Sequence, residues 1–197
     1  TWAEFGEDIG VLTGDALMMY AFETAASAFE TSIDPDELSR IGRAMGILAR
    51  KTGVYGMIGG QTVDVELAGG PIPKDKLDFI YRLKTGALIE ASMLIGAVLG
   101  GAAEEDCKIV ESLALKIGMA FQIQDDILDV TSTSEVLGKP VGSDAEEGKT
   151  TFVTLLGLEE AQRRAAALTE EAEQILAQFP EHEFLMALTQ ELLRREK

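Results

Sequence analysis

Apolar residues recur at the spacing of an α-helix along nearly the whole chain, and no segment alternates with the period of two that marks a half-buried strand. Short breaks containing Gly or Pro separate the periodic stretches. Helices are predicted over Glu7–Glu30, Pro35–Ala68, Lys74–Leu99, Ala103–Val130, Thr151–Gln178 and Glu181–Arg195. The polar stretch Thr131–Thr150 is predicted to be a long loop. The pattern predicts an all-α chain in which residues 1–197 form a single domain.

Two details of the pattern give sharper predictions. The segment Glu7–Glu30 is apolar around much of its circumference, which is typical of a helix that is central in a bundle or covered by a partner subunit. After it, Asp34 is placed to cap the next helix, with Pro35 at the first helical position.

Charge and cysteine content restrict the partners. The formal net charge is -17, so nucleic acid and anionic membranes are not expected partners. Cys107 is the single cysteine, which predicts a reducing compartment and a cytoplasmic protein. The longest apolar run, about Leu88 to Ala103, is interrupted by Glu90 and three glycines, so it predicts a buried helix and no integral membrane segment. An anionic ligand would need a metal ion or placed lysines to reverse the local sign.

One predicted helix carries a polar stripe between apolar sides. Gln122, Asp125, Asp126 and Asp129 stand at i, i+3, i+4 and i+7, within one arc of about 100°. Gly118 lies on the same face one turn earlier and is expected to leave room above the stripe. The apolar residues around the rest of the helix are Ile117, Phe121, Ile123, Ile127 and Leu128.

Three carboxylates within one and a half turns repel one another. Ionised carboxylates in a partly enclosed site are costly unless a cation neutralises them. Oxygen ligands with no His or Cys nearby favour a hard ion such as Mg²⁺. We therefore predict that Asp125, Asp126 and Asp129 bind Mg²⁺. The alternative is an ordinary solvated helix face.

Three lysines are candidates for phosphate contacts. Lys84 lies inside an apolar helical pattern, where an unpaired ammonium would be costly, while Lys139 and Lys149 lie in the loop after the aspartate helix. Lysine binds phosphate as a point charge on a flexible stem, so lysines beside a metal–carboxylate site would suit a diphosphate. Each lysine taken singly has the alternative of simple solvation. Gln61 and Asp64 share a helical face at i and i+3, a spacing that capping or solvent exposure would equally explain.

The stretch Phe121–Asp129 closely resembles the second aspartate-rich motif of the trans-prenyl diphosphate synthases, which include farnesyl and geranylgeranyl diphosphate synthases. Further stretches resemble landmarks of that family in the same order: Gly14–Leu17, Gly60–Asp64, Lys84–Leu88, and Gly138–Asp144 followed by Lys149–Thr151. Five ordered motifs across most of the chain are a specific signal, and the bacterial short-chain branch resembles the chain best.

The resemblance implies an all-α helical bundle of the isoprenoid synthase type around a central cavity, working as a homodimer. It implies a Mg²⁺-dependent prenyltransferase, of the geranyltranstransferase type. Its substrates would be isopentenyl diphosphate and an allylic diphosphate, dimethylallyl or geranyl diphosphate. Asp125, and less directly Asp126 and Asp129, would hold Mg²⁺ against the allylic diphosphate.

The resemblance also implies roles for neutral and basic side chains. The residues that would contact the diphosphate are Lys84, Lys139 and Lys149. Thr85 and Gln122 would line the place where positive charge develops and offer oxygen dipoles. Asp64 would fix Lys84 or its neighbourhood, and Gln61 would support the same region.

The chain departs from the family pattern in one respect. The family's first aspartate-rich motif, two carboxylates with a further Asp and a following Arg pair, is not found, and the chain is expected to begin just after it. We therefore expect a partial prenyl diphosphate synthase domain that lacks its N-terminal helices, is inactive alone, and gains Mg²⁺-dependent prenyl transfer when the upstream segment is restored. One alternative is a non-catalytic partner subunit of a prenyl diphosphate synthase. Another is a terpene cyclase, which the aspartate cluster disfavours.

Overall fold

The computed structural model describes residues 1–132 and 149–194, and every regular element in these two ranges is helical. The helices are α1 (Trp2–Phe5), α2 (Glu7–Ala26), α3 (Ala28–Thr31), α4 (Pro35–Thr52), α5 (Met57–Glu66), α6 (Lys74–Tyr81), α7 (Ala87–Leu99), α8 (Glu104–Thr131), α9 (Phe152–Leu156), α10 (Leu158–Leu176) and α11 (Glu183–Arg194). A π-helical turn, Arg82–Gly86, joins α6 to α7. The prediction of an all-α chain is confirmed.

The predicted start of α4 is confirmed, but the predicted segment Pro35–Ala68 is divided into α4 and α5. The Asp34 carboxylate accepts a hydrogen bond from the Glu37 backbone N–H at 3.2 Å, and Pro35 occupies the first turn. A Cβ on Gly56 would lie 1.9 Å from the Lys51 carbonyl oxygen. The chain can therefore turn back across the end of α4 because residue 56 has no side chain.

The predicted segment Thr151–Gln178 is also divided, into α9 and α10. Gly157 has φ 85°, a conformation that favours glycine and interrupts the helix. At the start of α9, Thr151 and Thr154 form a capping box, in which the hydroxyl of each residue accepts the backbone N–H of the other at 3.2 and 2.8 Å. The box fixes the direction in which α9 leaves the preceding chain.

The core is centred on α8, which packs against α7 on one side and α10 on the other, with α6 and α9 near its end. The predicted apolar sides of α8 are buried at Ile117, Ile123, Ile127 and Leu128, with Ile123 fully inaccessible. Phe152 of α9 is also fully buried, and its ring lies 5.2 Å from that of Tyr81. These contacts fix α8 in the position from which it presents the polar stripe.

The first predicted helix lies outside this core. None of the α2 residues is buried, and large apolar side chains such as Leu12 and Met19 are 60% and 66% exposed. The prediction that this helix is central in the bundle is therefore wrong for the described chain, because α2 packs mainly on the short helices α1 and α3 and on the edge of α4. Its cover by a partner subunit stays a prediction.

The apolar run from Leu88 to Ala103 forms most of α7, and Ala91, Leu94 and Val98 are buried there as predicted. Within the described ranges, no helix combines the length and apolar character that a bilayer crossing requires.

Candidate functional site: a helical face with one exposed aspartate

Three glycines bring the site-bearing helices into backbone contact. A Cβ on Gly60 of α5 would lie 2.4 Å from the Lys84 backbone nitrogen in the π-helical turn. A Cβ on Gly118 of α8 would lie 2.8 Å from the Gly86 Cα. Both positions therefore need glycine, and the π-helical turn is held tightly between α5 and α8. The prediction that Gly118 leaves room above the stripe is wrong, because Gly86 fills that space.

The close approach on the α5 side joins Lys84 to Asp64. The Lys84 ammonium donates to Asp64 Oδ2 at 2.5 Å, and the two side chains are 36% and 21% exposed. An ammonium has three N–H donors, so this bond directs the Lys84 side chain and leaves further donors for a ligand. The arrangement agrees with the expectation that Asp64 fixes Lys84.

The close approach on the α8 side joins Thr85 to Gln122. The Thr85 hydroxyl donates to Gln122 Oε1 at 2.7 Å. Since the hydroxyl proton is used in this bond, the oxygen lone pairs of Thr85 remain available as acceptors. Sequential residues of the π-helical turn thus contact different helices, Lys84 reaching α5 and Thr85 reaching α8.

The three aspartates of the stripe lie in different surroundings. Asp125 is exposed, whereas Asp126 and Asp129 are 4% and 1% exposed. Among the described residues, no group of three or more His, Cys, Asp and Glu side chains is arranged to hold a metal ion. The three carboxylates therefore do not form a shared cage.

Asp126 joins three elements of the core. Its Oδ2 accepts the Tyr81 hydroxyl of α6 at 2.6 Å and the Phe152 backbone N–H of α9 at 2.9 Å. One carboxylate oxygen thus bonds both α6 and α9. The geometry thus assigns Asp126 to positioning of α8 against α6 and α9, which a helical wheel of α8 cannot show.

Tyr81 is the residue of this site that the sequence analysis missed. It is 7% exposed, and a buried tyrosine hydroxyl usually finds a partner. Its position three residues before Lys84 was the signal that could have linked it to the site.

The remaining predicted site residues are distributed unevenly. Lys149 is exposed beside the turn that holds Gly70 and Ile72, and Thr150 accepts the Ile72 backbone N–H at 3.2 Å. Lys149 thus lies three residues before Phe152, the α9 residue whose backbone N–H bonds Asp126. Gln61 is exposed on α5 and makes no side-chain hydrogen bond within the described ranges. Lys139 lies outside the described residues.

A single exposed carboxylate fits Mg²⁺ better than a closed cage would. Mg²⁺ usually keeps several waters and binds through one or two carboxylates together with substrate phosphates. Asp125 could supply such a carboxylate, and the Lys84 ammonium could donate to phosphate oxygens.

Comparison with known proteins gives matches over nearly the whole chain. The polyprenyl synthetase family profile matches residues 1–186. The farnesyl diphosphate synthase of Escherichia coli is 40% identical over 200 residues, covering 98% of this chain and 66% of that protein. The large subunit 1 of the heterodimeric geranylgeranyl pyrophosphate synthase of Arabidopsis thaliana is 42% identical over 178 residues, covering 89% of this chain and 47% of that protein. The chain thus spans about half to two thirds of these relatives.

Solved structures match the fold closely. A Helicobacter pylori geranyltransferase complexed with magnesium and isoprenyl diphosphate superposes with a TM-score of 0.81 at 35% identity, covering 98% of this chain and 62% of that chain. A Pyrococcus horikoshii geranylgeranyl pyrophosphate synthetase superposes with a TM-score of 0.85 at 26% identity, covering 99% and 69%.

Proposed function

This chain belongs to the polyprenyl synthetase family, and on that premise we propose that it supplies the Mg²⁺- and diphosphate-binding side of a prenyltransferase of the geranyltranstransferase type. The proposed reaction joins isopentenyl diphosphate to an allylic diphosphate such as dimethylallyl or geranyl diphosphate. One observation carries the proposal: the exposed Asp125 stands one turn after Gln122 on α8, and Gln122 bonds Thr85. The residue before Thr85, Lys84, is held by Asp64 of α5. The Helicobacter pylori geranyltransferase that shares the fold was solved with magnesium and isoprenyl diphosphate.

In the proposed site, different side chains stabilise two charges of opposite sign: the negative charge of the diphosphate and the positive charge that develops on the allylic carbon. Lys84, together with Lys149 and Lys139, offers ammonium donors to the diphosphate. When bound, Mg²⁺ supplies positive charge that offsets the negative charge growing on the leaving diphosphate. The Thr85 and Gln122 oxygens face the allylic carbon and stabilise its developing positive charge.

The binding proposal is tested by titrating the chain with geranyl diphosphate, with and without Mg²⁺, in a calorimeter. We expect Mg²⁺-dependent binding that Asp125→Ala weakens about tenfold or more, a loss typical of disturbed metal sites. Asp106→Ala is the matched control, since Asp106 is an exposed aspartate of the same helix. The proposal is wrong if the wild type does not bind, or if the two variants bind equally well.

We further propose that these 197 residues alone do not catalyse prenyl transfer. In support, the chain spans 47% and 66% of the length of the two matched synthases. Incubation with isopentenyl and geranyl diphosphates and Mg²⁺ should yield no longer product, and transfer by this chain alone would contradict the proposal. Product that forms only with a second, different synthase chain would instead identify a non-catalytic partner subunit.

The length of the allylic chain is a separate question. Matched relatives are named farnesyl, geranylgeranyl and geranylfarnesyl diphosphate synthases, so prenyl diphosphates of several lengths are relevant ligands to test.

We also propose a homodimer in which α2 of each copy is covered by the other. The exposed apolar side chains of α2 support this assembly, because a contiguous apolar surface of this kind marks an interaction site.

A cytoplasmic location is proposed from the free thiol of Cys107.

A further inference from the structure

Arg164 of α10 lies against the aromatic ring of Phe152, at the start of α9. Its guanidinium carbon is 5.5 Å from the ring centroid, a distance at which a cation is attracted to the face of an aromatic ring. The same ring lies 5.2 Å from that of Tyr81. Because Phe152 is fully buried, its ring is held by contacts from both α6 and α10.

The Arg164 guanidinium also faces Asp78 of α6. Arg164 Nη2 lies 3.9 Å from Asp78 Oδ1, and the two side chains are 36% and 37% exposed. This distance is too long for a hydrogen bond. Arg164 Nε and Asp78 Oδ1 are buried atoms that have no hydrogen-bond partner within the described ranges. The pair therefore brings opposite charges together without satisfying these two atoms.

A contribution to stability does not account for this arrangement. A buried polar atom without a hydrogen bond destabilises the folded chain, and a partly exposed ion pair contributes little. A hydrophobic residue of similar size would pack against Phe152 without leaving such an atom. A cation on the Phe152 ring does account for it, because the attraction holds the ring in one orientation.

Phe152 is the point at which the chain that follows Lys149 is fastened to the core. The Phe152 backbone N–H donates to Asp126 Oδ2 at 2.9 Å. Two residues earlier, the Thr150 hydroxyl accepts the Ile72 backbone N–H at 3.2 Å. Lys149 directly precedes Thr150, so these contacts determine where the Lys149 side chain leaves the backbone.

We propose that Arg164 is a positioning residue, which acts through Phe152 to hold the Lys149 ammonium where it contacts the diphosphate. The inference rests on the proposed function, in which Lys149 is one of the lysines that bind the diphosphate. Without the Arg164 cation, the Phe152 ring loses its fixed orientation, and the residues before it shift with it. Arg164 is assigned no contact with the ligand, so its whole effect on binding passes through Lys149.

The test is a double-mutant cycle of Arg164→Met and Lys149→Ala, measured by calorimetry with geranyl diphosphate and Mg²⁺. Methionine keeps a long side chain and removes the cation. We expect Lys149→Ala to weaken binding about tenfold, the size of a charge-assisted hydrogen bond. Arg164→Met should weaken it about threefold, the size of a cation–π contact. In the Lys149→Ala background, Arg164→Met should have no further effect, because residues that act as a unit are not additive.

The matched control is Arg163→Met. Arg163 is the neighbouring residue of α10, forms an ion pair with Glu160 and is 77% exposed. The substitution removes the same charge from α10 but leaves the Phe152 contact, so binding should equal that of the wild type. Should Arg164→Met fail to unfold cooperatively in urea, Arg164→Lys replaces it in the cycle, since lysine keeps a cation and loses the planar group. A smaller loss that again requires Lys149 is expected.

Four results would overturn the inference while leaving Mg²⁺-dependent binding itself intact. Wild-type affinity in Arg164→Met shows that the ring contact does not position Lys149. A further threefold loss in the Lys149→Ala background shows that Arg164 acts on another part of the site. An equal loss in Arg163→Met shows an effect of net charge, and unchanged binding in Lys149→Ala removes the residue through which Arg164 acts. If the wild type binds no geranyl diphosphate, the proposed function itself fails, and the inference with it.

Discussion

At the scale of single residues, Asp125 and Asp126 show how neighbours on one helix acquire different tasks. The two side chains differ by about 100° around α8. That rotation leaves Asp125 exposed, while Asp126 meets the Tyr81 hydroxyl and the Phe152 amide. We therefore propose Asp125 as the metal-facing carboxylate and Asp126 as the residue that positions α8.

The bond between Tyr81 and Asp126 predicts a loss of stability on Tyr81→Phe. The variant keeps the ring and removes one donor to a buried carboxylate, which costs about 1–3 kcal/mol. Urea unfolding measures the change. Tyr55→Phe is the control, because Tyr55 is 81% exposed and its variant should match the wild type. Equal stability of both variants would show that Asp126 does not depend on the Tyr81 hydroxyl.

Glu90 gives a prediction about pH. Burial raises the pKa of Glu90, although the nearby Lys51 ammonium opposes this shift. The pKa of the neighbouring Glu111 is lowered by its hydrogen bond to Glu90, and the charges of Lys51 and Arg82 lower it further. A raised pKa means that the folded chain holds the Glu90 proton more tightly than the unfolded chain. The Glu90 contribution to stability therefore falls as pH rises from the ordinary glutamate pKa, about 4.3, through the raised value.

Glu90→Gln should remove that pH dependence. We expect the variant to gain stability relative to the wild type as pH rises through this window, measured by urea unfolding at a series of pH values. Glu66→Gln, at an exposed position on α5, should show a constant difference from the wild type. A constant difference for Glu90→Gln as well would contradict the burial of an ionisable group at this position.

At the scale of elements, the π-helical turn is the part that assembles the site. Turns of this kind are rare and are frequent at functional sites. Here the turn presents Lys84 to α5 and Thr85 to α8, and Gly60 and Gly118 allow both helices to approach its backbone. Site geometry therefore depends on glycines that carry no functional side chain.

This dependence predicts opposite effects for two glycine substitutions. Gly118→Ala places a Cβ 2.8 Å from the Gly86 Cα, so the helices must separate, at a cost of about 1–3 kcal/mol, and Mg²⁺-dependent diphosphate binding should weaken. Gly42→Ala, in α4 with nothing within 4 Å of the added Cβ, should stabilise the chain by about 0.5–1 kcal/mol. Thermal unfolding and calorimetric binding measure both variants. A stable Gly118→Ala chain with wild-type binding would refute the tight packing.

At the scale of the whole molecule, charge and apolar surface are unevenly placed. A chain of net charge -17 would repel a diphosphate, so the proposed diphosphate site requires the ammonium of Lys84 and a cation to reverse the sign locally. Outside the core, α2 exposes apolar side chains that none of the other described helices covers.

The proposed homodimer predicts the effect of charge on α2. Leu12 and Met19 lie two turns apart on one face of the helix, so Leu12→Glu with Met19→Glu should convert a dimer into a monomer in sedimentation velocity experiments. Phe184→Glu changes an equally exposed apolar residue on α11 and should remain dimeric. A monomeric wild type, or a dimeric α2 variant, would rule out this interface.

The sequence by itself determined what depends on residues within a few turns of one another. Helical periodicity, the Asp34 cap and the i, i+3, i+4, i+7 stripe of α8 are local properties, and they predicted the all-α chain and the helix that carries Asp125. The ordered motifs added the Lys84 and Thr85 region. Apolar spacing did not predict the helix breaks at Gly53–Gly56 and Gly157, because there the backbone conformation interrupts segments whose apolar pattern is continuous.

Tertiary structure alone decided which side chains face one another across distant parts of the chain. Asp126 belongs to the core because Tyr81 and Phe152 approach it from 45 and 26 residues away. Gly118 is a helix contact because Gly86 packs on it. Lys51 meets Glu90 and Glu111 because α4 and α8 both pack on α7. A single helix specifies the angle at which each side chain leaves its axis, while burial and pairing depend on which other helix lies there.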